Sequence, residues 1–234
     1  MPSWSIHLKI GKELNKMLNI NNDAFMFGSL IPDTDSDWIL GRFKAHYYGS
    51  LKFPKCSNEN MIDLNAFLQD YKNKLNDSMI IGYYCHLLTD NFYNEYIYYN
   101  KWVQDQNKNV IGIKKNDGSI IDISDNYKLT GIYKHKDLEL YGKRIFNNEQ
   151  LFVPNNINNI IQSLPLLKNK FISEKNVINR LNYLNKEFIE FNNINKEDIN
   201  KEYELFDKEE LDKLLNDCIN YIIDELKKGG VINE

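Results

Sequence analysis

The chain has 234 residues, 42% hydrophobic and 26% charged, with a net charge of −4, four histidines, three cysteines, eleven glycines and five prolines. That profile supports a real core in one soluble domain, with or without an appended element. No run approaches the ~18–20 apolar residues of a membrane span, the opening MPSWSIHLKIGKELNK has no signal-type apolar core, and the mildly acidic balance argues against retention on duplex nucleic acid.

Ile6, Ile10, Leu14, Met17 and Leu18 recur at helical spacing and predict an amphipathic helix over 5–19. A second apolar segment, Ala24 to Ile31, runs into Pro32, where a helix usually stops. Ile62, Leu64, Phe67, Leu68, Tyr71 and Leu75 predict a third helix within 61–75. Met79 to Tyr99 is the most apolar stretch and reads as a helix buried on most of its circumference. The period then changes: Val110, Ile111, Ile113, then Asn116-Asp117-Gly118, then Ile120, Ile121, Ile123 predict a β-hairpin at about 109–124. Helices are expected over Tyr127–Phe146, Val177–Phe191 and Lys208–Lys228, the last stopped by Gly229-Gly230. The predicted fold is mainly α, a multi-helix bundle with one inserted β-hairpin. Residues 1–150 are expected to form one helical domain, and 151–234 a helical extension packed on it.

Cys56, Cys85 and Cys218 have no CxxC spacing and read as reduced packing residues, in keeping with a cytoplasmic location. Lysine outnumbers arginine 26 to 3, and asparagine and isoleucine are abundant. This is the imprint of an AT-rich genome, such as that of a low-GC bacterium, and carries no function.

Two of the four histidines stand in helical register with a carboxylate, and His7 and His46 lie apart from any. His86 and Asp90 are four apart, as are His135 and Glu139. On a helix such a pair projects from one face with Cβ atoms about 5–6 Å apart, close enough to bind one metal or bridge two. His86 and Asp90 lie in the most apolar helix, where an unpaired carboxylate would cost several kcal/mol. A buried metal and a His–Asp hydrogen bond are the two ways to offset that cost. Histidine with carboxylate, without thiolate, suits catalytic Zn²⁺, with Mn²⁺ or Co²⁺ as possible substitutes, and such a metal activates water for phosphoryl displacement.

The order Trp4, His7, Gly28-Ser29-Leu30-Ile31-Pro32-Asp33, His46-Tyr47, Gly82-x-x-x-His86-x-x-x-Asp90 and His135-x-x-x-Glu139 resembles the zinc-dependent phospholipase C family, a relative of the three-zinc single-strand nucleases. The resemblance covers about residues 1–140. It implies the family's helical fold and a phosphodiesterase acting on a phospholipid headgroup or a nucleotide, with one to three zinc ions. Asp33, His46, His86 and Asp90 would hold the first zinc. Asp90 would bridge to a second, bound also by His7, and His135 and Glu139 would serve the remaining one. Asp33 is assigned a further role as proton acceptor from the attacking water. Two positions depart from the family. Met1-Pro2-Ser3 precede Trp4, whose free amine is a family ligand, which leaves the Pro2 amine as a substitute. The segment Asn91-Phe92-Tyr93-Asn94-Glu95-Tyr96 lacks a further histidine, leaving Asn94 or Glu95 in its place.

Three other signals carry less. Asp33, Asp35 and Asp37 imitate the start of a calcium loop, but Trp38 and Lys44 stand where that loop needs Gly and Glu. The tyrosines between 83 and 99 suit core packing better than base stacking, and the final helix suits packing on the bundle better than partner binding. The alternatives to a phospholipase C-like phosphoesterase are a non-catalytic, metal-stabilised helical scaffold and an HD-type phosphohydrolase. The latter needs adjacent His-Asp, which His46-Tyr47 and His86-Leu87 do not supply.

Overall fold

The computed structural model describes residues 2–18, 22–34, 41–53, 59–124, 126–149, 151, 154, 156–167, 173–191 and 199–232. It is mainly helical. In chain order come α1 (Trp4–Leu18), α2 (Asn22–Gly28), a 3₁₀ turn (Ile31–Thr34), α3 (Gly41–Ala45), β1 (Tyr48–Phe53), β2 (Glu59–Ile62), α4 (Leu64–Tyr71) and α5 (Ser78–Asn100). Then follow β3 (Trp102–Gln104), β4 (Val110–Lys114), β5 (Ile120–Asp122), α6 (Lys128–Asn148), α7 (Ile157–Ser163), a second 3₁₀ turn (Leu164–Leu166), α8 (Glu174–Phe191) and the C-terminal helix (Lys208–Lys228). Cys56, Asp35, Asp37 and Trp38 lie outside the described residues; Cys85 and Cys218 are buried free thiols. Among the described residues no helix is long and apolar enough to cross a membrane.

Helix α5 is the axis of the molecule. Asp77 caps it by accepting from the Met79 and Ile80 N–H groups, which satisfies donors that the first turn leaves without partners. It is buried nearly all round and packs against α1, α2, α4, β2, β3 and the C-terminal helix. An all-round apolar helix has this one stable position, the centre of a bundle. Its closest neighbour is α2. A Cβ added at Gly82 would lie 2.1 Å from the Phe25 carbonyl oxygen, and one at Gly28 2.1 Å from that of Met79. The two backbones therefore meet at a spacing that only glycine on both sides permits.

Three local features differ from the sequence expectation. Pro32 does not end a helix: α2 stops at Gly28, and Pro32 sits inside the 3₁₀ turn, where its missing N–H costs nothing. The third helix is shorter than 61–75 because β2 occupies 59–62 and pairs antiparallel with β1. The expected hairpin forms, with Ile113 opposite Ile121, but β3 adds a third strand at its edge.

The far end is tied together by buried polar contacts. The completely buried Asp137 on α6 accepts from the backbone N–H groups of Glu204, Leu205 and Phe206. The Asn116 amide in the hairpin turn donates to the carbonyls of Tyr203 and Phe206. Asp207 then caps the C-terminal helix by accepting from Glu210. That helix ends in a Schellman motif: Gly230, at φ 65°, donates to Lys227 and Val231 donates to Leu226.

Candidate metal centre

Four elements bring five side chains to one buried point. His7 comes from the first turns of α1, Asp33 from the 3₁₀ turn, His46 from the turn after α3, and His86 and Asp90 from α5. Tyr47, next to His46, has a φ of 52°, a left-handed conformation that turns the chain sharply from α3 into β1. All five are buried, and Asp33, at 6%, is the most exposed of them. Burying two carboxylates and three imidazoles together without compensation would be costly.

The donor atoms lie at a telling spacing. His86 Nε2 is 3.3 Å from His46 Nε2 and 3.4 Å from an Asp90 oxygen, which is itself 3.5 Å from His46 Nε2. His46 Nε2 is 3.3 Å from Asp33 Oδ1, and His7 Nε2 is 3.4 Å from Asp90 Oδ1. Neither ring nitrogen of His7 and neither oxygen of Asp90 makes a well-formed hydrogen bond. Two donors bound tetrahedrally to one zinc at about 2.0–2.1 Å stand about 3.3–3.4 Å apart, so these separations suit a shared ion better than a direct hydrogen bond. Two groups emerge, His7 with His86 and Asp90, and Asp33 with His46 and His86; within each, the donor atoms lie within 4.8 Å of one another. His86 belongs to both. The donor set, imidazole and carboxylate without thiolate, fits zinc.

The surroundings orient these donors. His86 Nδ1 lies 2.8 Å from the Ser29 carbonyl oxygen, which can only accept, so Nδ1 carries the proton and Nε2 faces the cluster bare. Ser29 follows Gly28, so the glycine contact between α2 and α5 sets this bond. The His7 and His86 rings stack 4.0 Å apart, and His46 stacks on Tyr48 at 5.5 Å. The Trp4 indole N–H donates to Asp33 Oδ2 at 3.0 Å.

Electrostatics follow from burial and proximity. Burial, reinforced by His86, lowers the His7 pKa to about 4, so that its ring is neutral at ordinary pH. Burial also pulls His86 down, but Asp90 and Asp33 outweigh it and leave its pKa raised. For Asp90, burial works upward, yet His86 and His7 prevail and hold its carboxyl well below the usual carboxylate range.

His135 and Glu139 are placed differently from the set expected for a remaining zinc. Both lie on the exposed side of α6, Glu139 in an ion pair with Lys143 at 2.6 Å, and neither belongs to the two donor groups. The buried side of α6 carries Thr130, Asp137, Leu138, Tyr141 and Ile145, and His135 and Glu139 lie about 110° and about 150° around the helix from the middle of that face. Asn94 is buried and accepts from Lys134 at 3.2 Å, while Glu95 is exposed. Pro2 is buried beside the start of α1. Sequence reasoning missed the Ser29 carbonyl and the Trp4–Asp33 bond, since neither a backbone acceptor nor a contact across 29 positions has a local signature.

A family model described as zinc dependent phospholipase C matches residues 4–217. The chain belongs to this family. The match runs well past residue 140, so the zinc-dependent phospholipase C relationship takes in most of the segment in which the sequence offered no motif. No curated protein and no solved structure matched the chain.

Proposed function

We propose that this zinc-dependent phospholipase C family member is a phosphoesterase that hydrolyses a phosphodiester with water activated at the His/Asp cluster. The observation that carries the reading is the set of five converging donors, with Asp90 and His7 buried and lacking well-formed hydrogen bonds. Asp33, His46, His86 and Asp90 would hold one zinc, and His7 with Asp90 a second. Bound there, zinc supplies Lewis acidity that brings the pKa of water from 15.7 towards roughly 7 and offsets charge on the phosphoryl group.

The chain's own residues do the rest. Asp90 faces His7 with one oxygen and His46 and His86 with the other, so it would offer a separate oxygen to each side of the cluster. The Ser29 carbonyl keeps the His86 proton on Nδ1. Asp33 stands at the more open edge of the cluster and is assigned the proton from the attacking water. The substrate class is a phosphodiester that joins a phospholipid to its headgroup or one nucleotide to another.

Incubation of protein loaded with Zn²⁺, Mn²⁺ or Co²⁺ with a chromogenic phosphodiester tests the reading. Chelator-sensitive turnover is expected; no turnover with any of the three, together with no bound metal, contradicts it. The near-complete burial of the donors favours a second reading, a metal kept for stability alone. That reading predicts metal retention and chelator-sensitive melting with no activity on any phosphoester.

A further inference from the structure

We propose that Trp4 is a positioning residue for the metal centre, its indole N–H holding Asp33 so that one carboxylate oxygen is presented to the cluster. The inference rests on the reading of Asp33 as a ligand and proton acceptor. Three observations carry it. The indole nitrogen takes Asp33 Oδ2 at 3.0 Å, while Oδ1 lies 3.3 Å from His46 Nε2, so the two oxygens have separate partners. The bond spans 29 positions and joins α1 to the 3₁₀ turn, the two elements that bring His7 and Asp33. The indole is itself braced: Tyr183 of α8 meets it edge-on, with ring centroids 6.0 Å apart and planes at 86°. Helix α8 also packs against the 3₁₀ turn, so the C-terminal third of the chain holds this corner.

An ionised carboxylate accepts a charge-assisted bond from an indole N–H, a donor that cannot accept in return. One oxygen is thereby fixed and the other left to face the cluster. Trp4 also lies one turn before His7 on α1, so any rotation of that helix would disturb a donor and the aim of Asp33 together.

Trp4→Phe removes the N–H while keeping a ring against Tyr183. The expected result is about 10- to 100-fold weaker zinc binding by competition with a chromogenic chelator. The visible absorption of the Co²⁺-loaded variant should shift, and kcat should fall more than KM changes. Zinc affinity and a Co²⁺ spectrum equal to those of the wild type would overturn the proposal alone. A wild-type protein that binds no zinc would overturn the underlying reading and the proposal with it. Should Trp4→Phe fail to fold, the wild-type protein with ¹⁵N-labelled tryptophan decides, its indole signals assigned with Trp38→Phe and Trp102→Phe. The Trp4 N–H should exchange slowly and move on zinc addition; a rapidly exchanging, zinc-insensitive signal would overturn the proposal.

Discussion

His7 and His86 stack ring on ring, yet their pKa values move in opposite directions. Burial and the neighbouring imidazole push His7 down to about 4, while Asp90 and Asp33 carry His86 up against its own burial. The consequence for stability has a definite sign. Between pH 6.5 and about 4 the unfolded chain binds a proton at His7 that the folded chain does not, so metal-free protein loses stability at this site as the pH falls. The full difference is of the order of 3 kcal/mol. His86 contributes oppositely, with stabilisation present at low pH and lost as pH rises; that from Asp90 is lost only as pH falls below the ordinary carboxylate range. Comparison with His7→Asn isolates the His7 effect. In chelator-treated samples the melting difference between wild type and variant should shrink as pH drops from about 7 to about 4. Parallel curves across that range would contradict the assignment.

Among the elements, the crossing of α2 and α5 places the Ser29 carbonyl on His86. Gly82→Ala would put a methyl group 2.1 Å from the Phe25 carbonyl oxygen, which no side-chain rotation relieves, so the helices must separate. Overpacking of this kind costs typically about 1–3 kcal/mol, and backbone against backbone should reach the upper end. Urea unfolding should show that loss, with weaker zinc binding as the Ser29–His86 bond lengthens; unchanged stability would mean that the contact relaxes freely. The same crossing explains what the sequence made legible. His86 and Asp90 could be paired from their spacing, and the apolar sequence around them marked α5 as buried. Asp33, His46 and His7 were legible only through the resemblance to the phospholipase C family. The spacing of His135 and Glu139 shows only that they share a face of α6, not which face; Leu138, Tyr141 and Ile145 claim the core side. The β1–β2 ribbon escaped notice because its strands lack clean alternation, and β3 because three residues are too few to set a period.

For the whole molecule, the centre lies where α1, α5 and the segments around α3 meet, so the metal would join parts of the chain far apart in sequence. An ion that binds only the folded state stabilises it by linkage, about 2.7 kcal/mol at a free concentration 100 times its dissociation constant. For a domain of this size that corresponds to a rise in Tm of about 5–10 °C. Chelation should lower Tm by that amount and zinc should restore it; a Tm indifferent to both would argue that the donors are a hydrogen-bonded core. His86 is the donor common to both groups, so the account's central claim is tested most directly by the zinc content of tag-free protein after gel filtration, measured by elemental analysis beside His86→Ala. The account predicts at least one zinc per wild-type chain and a near-complete loss in the variant; a zinc-free wild type, or a variant that keeps the full complement, would contradict it.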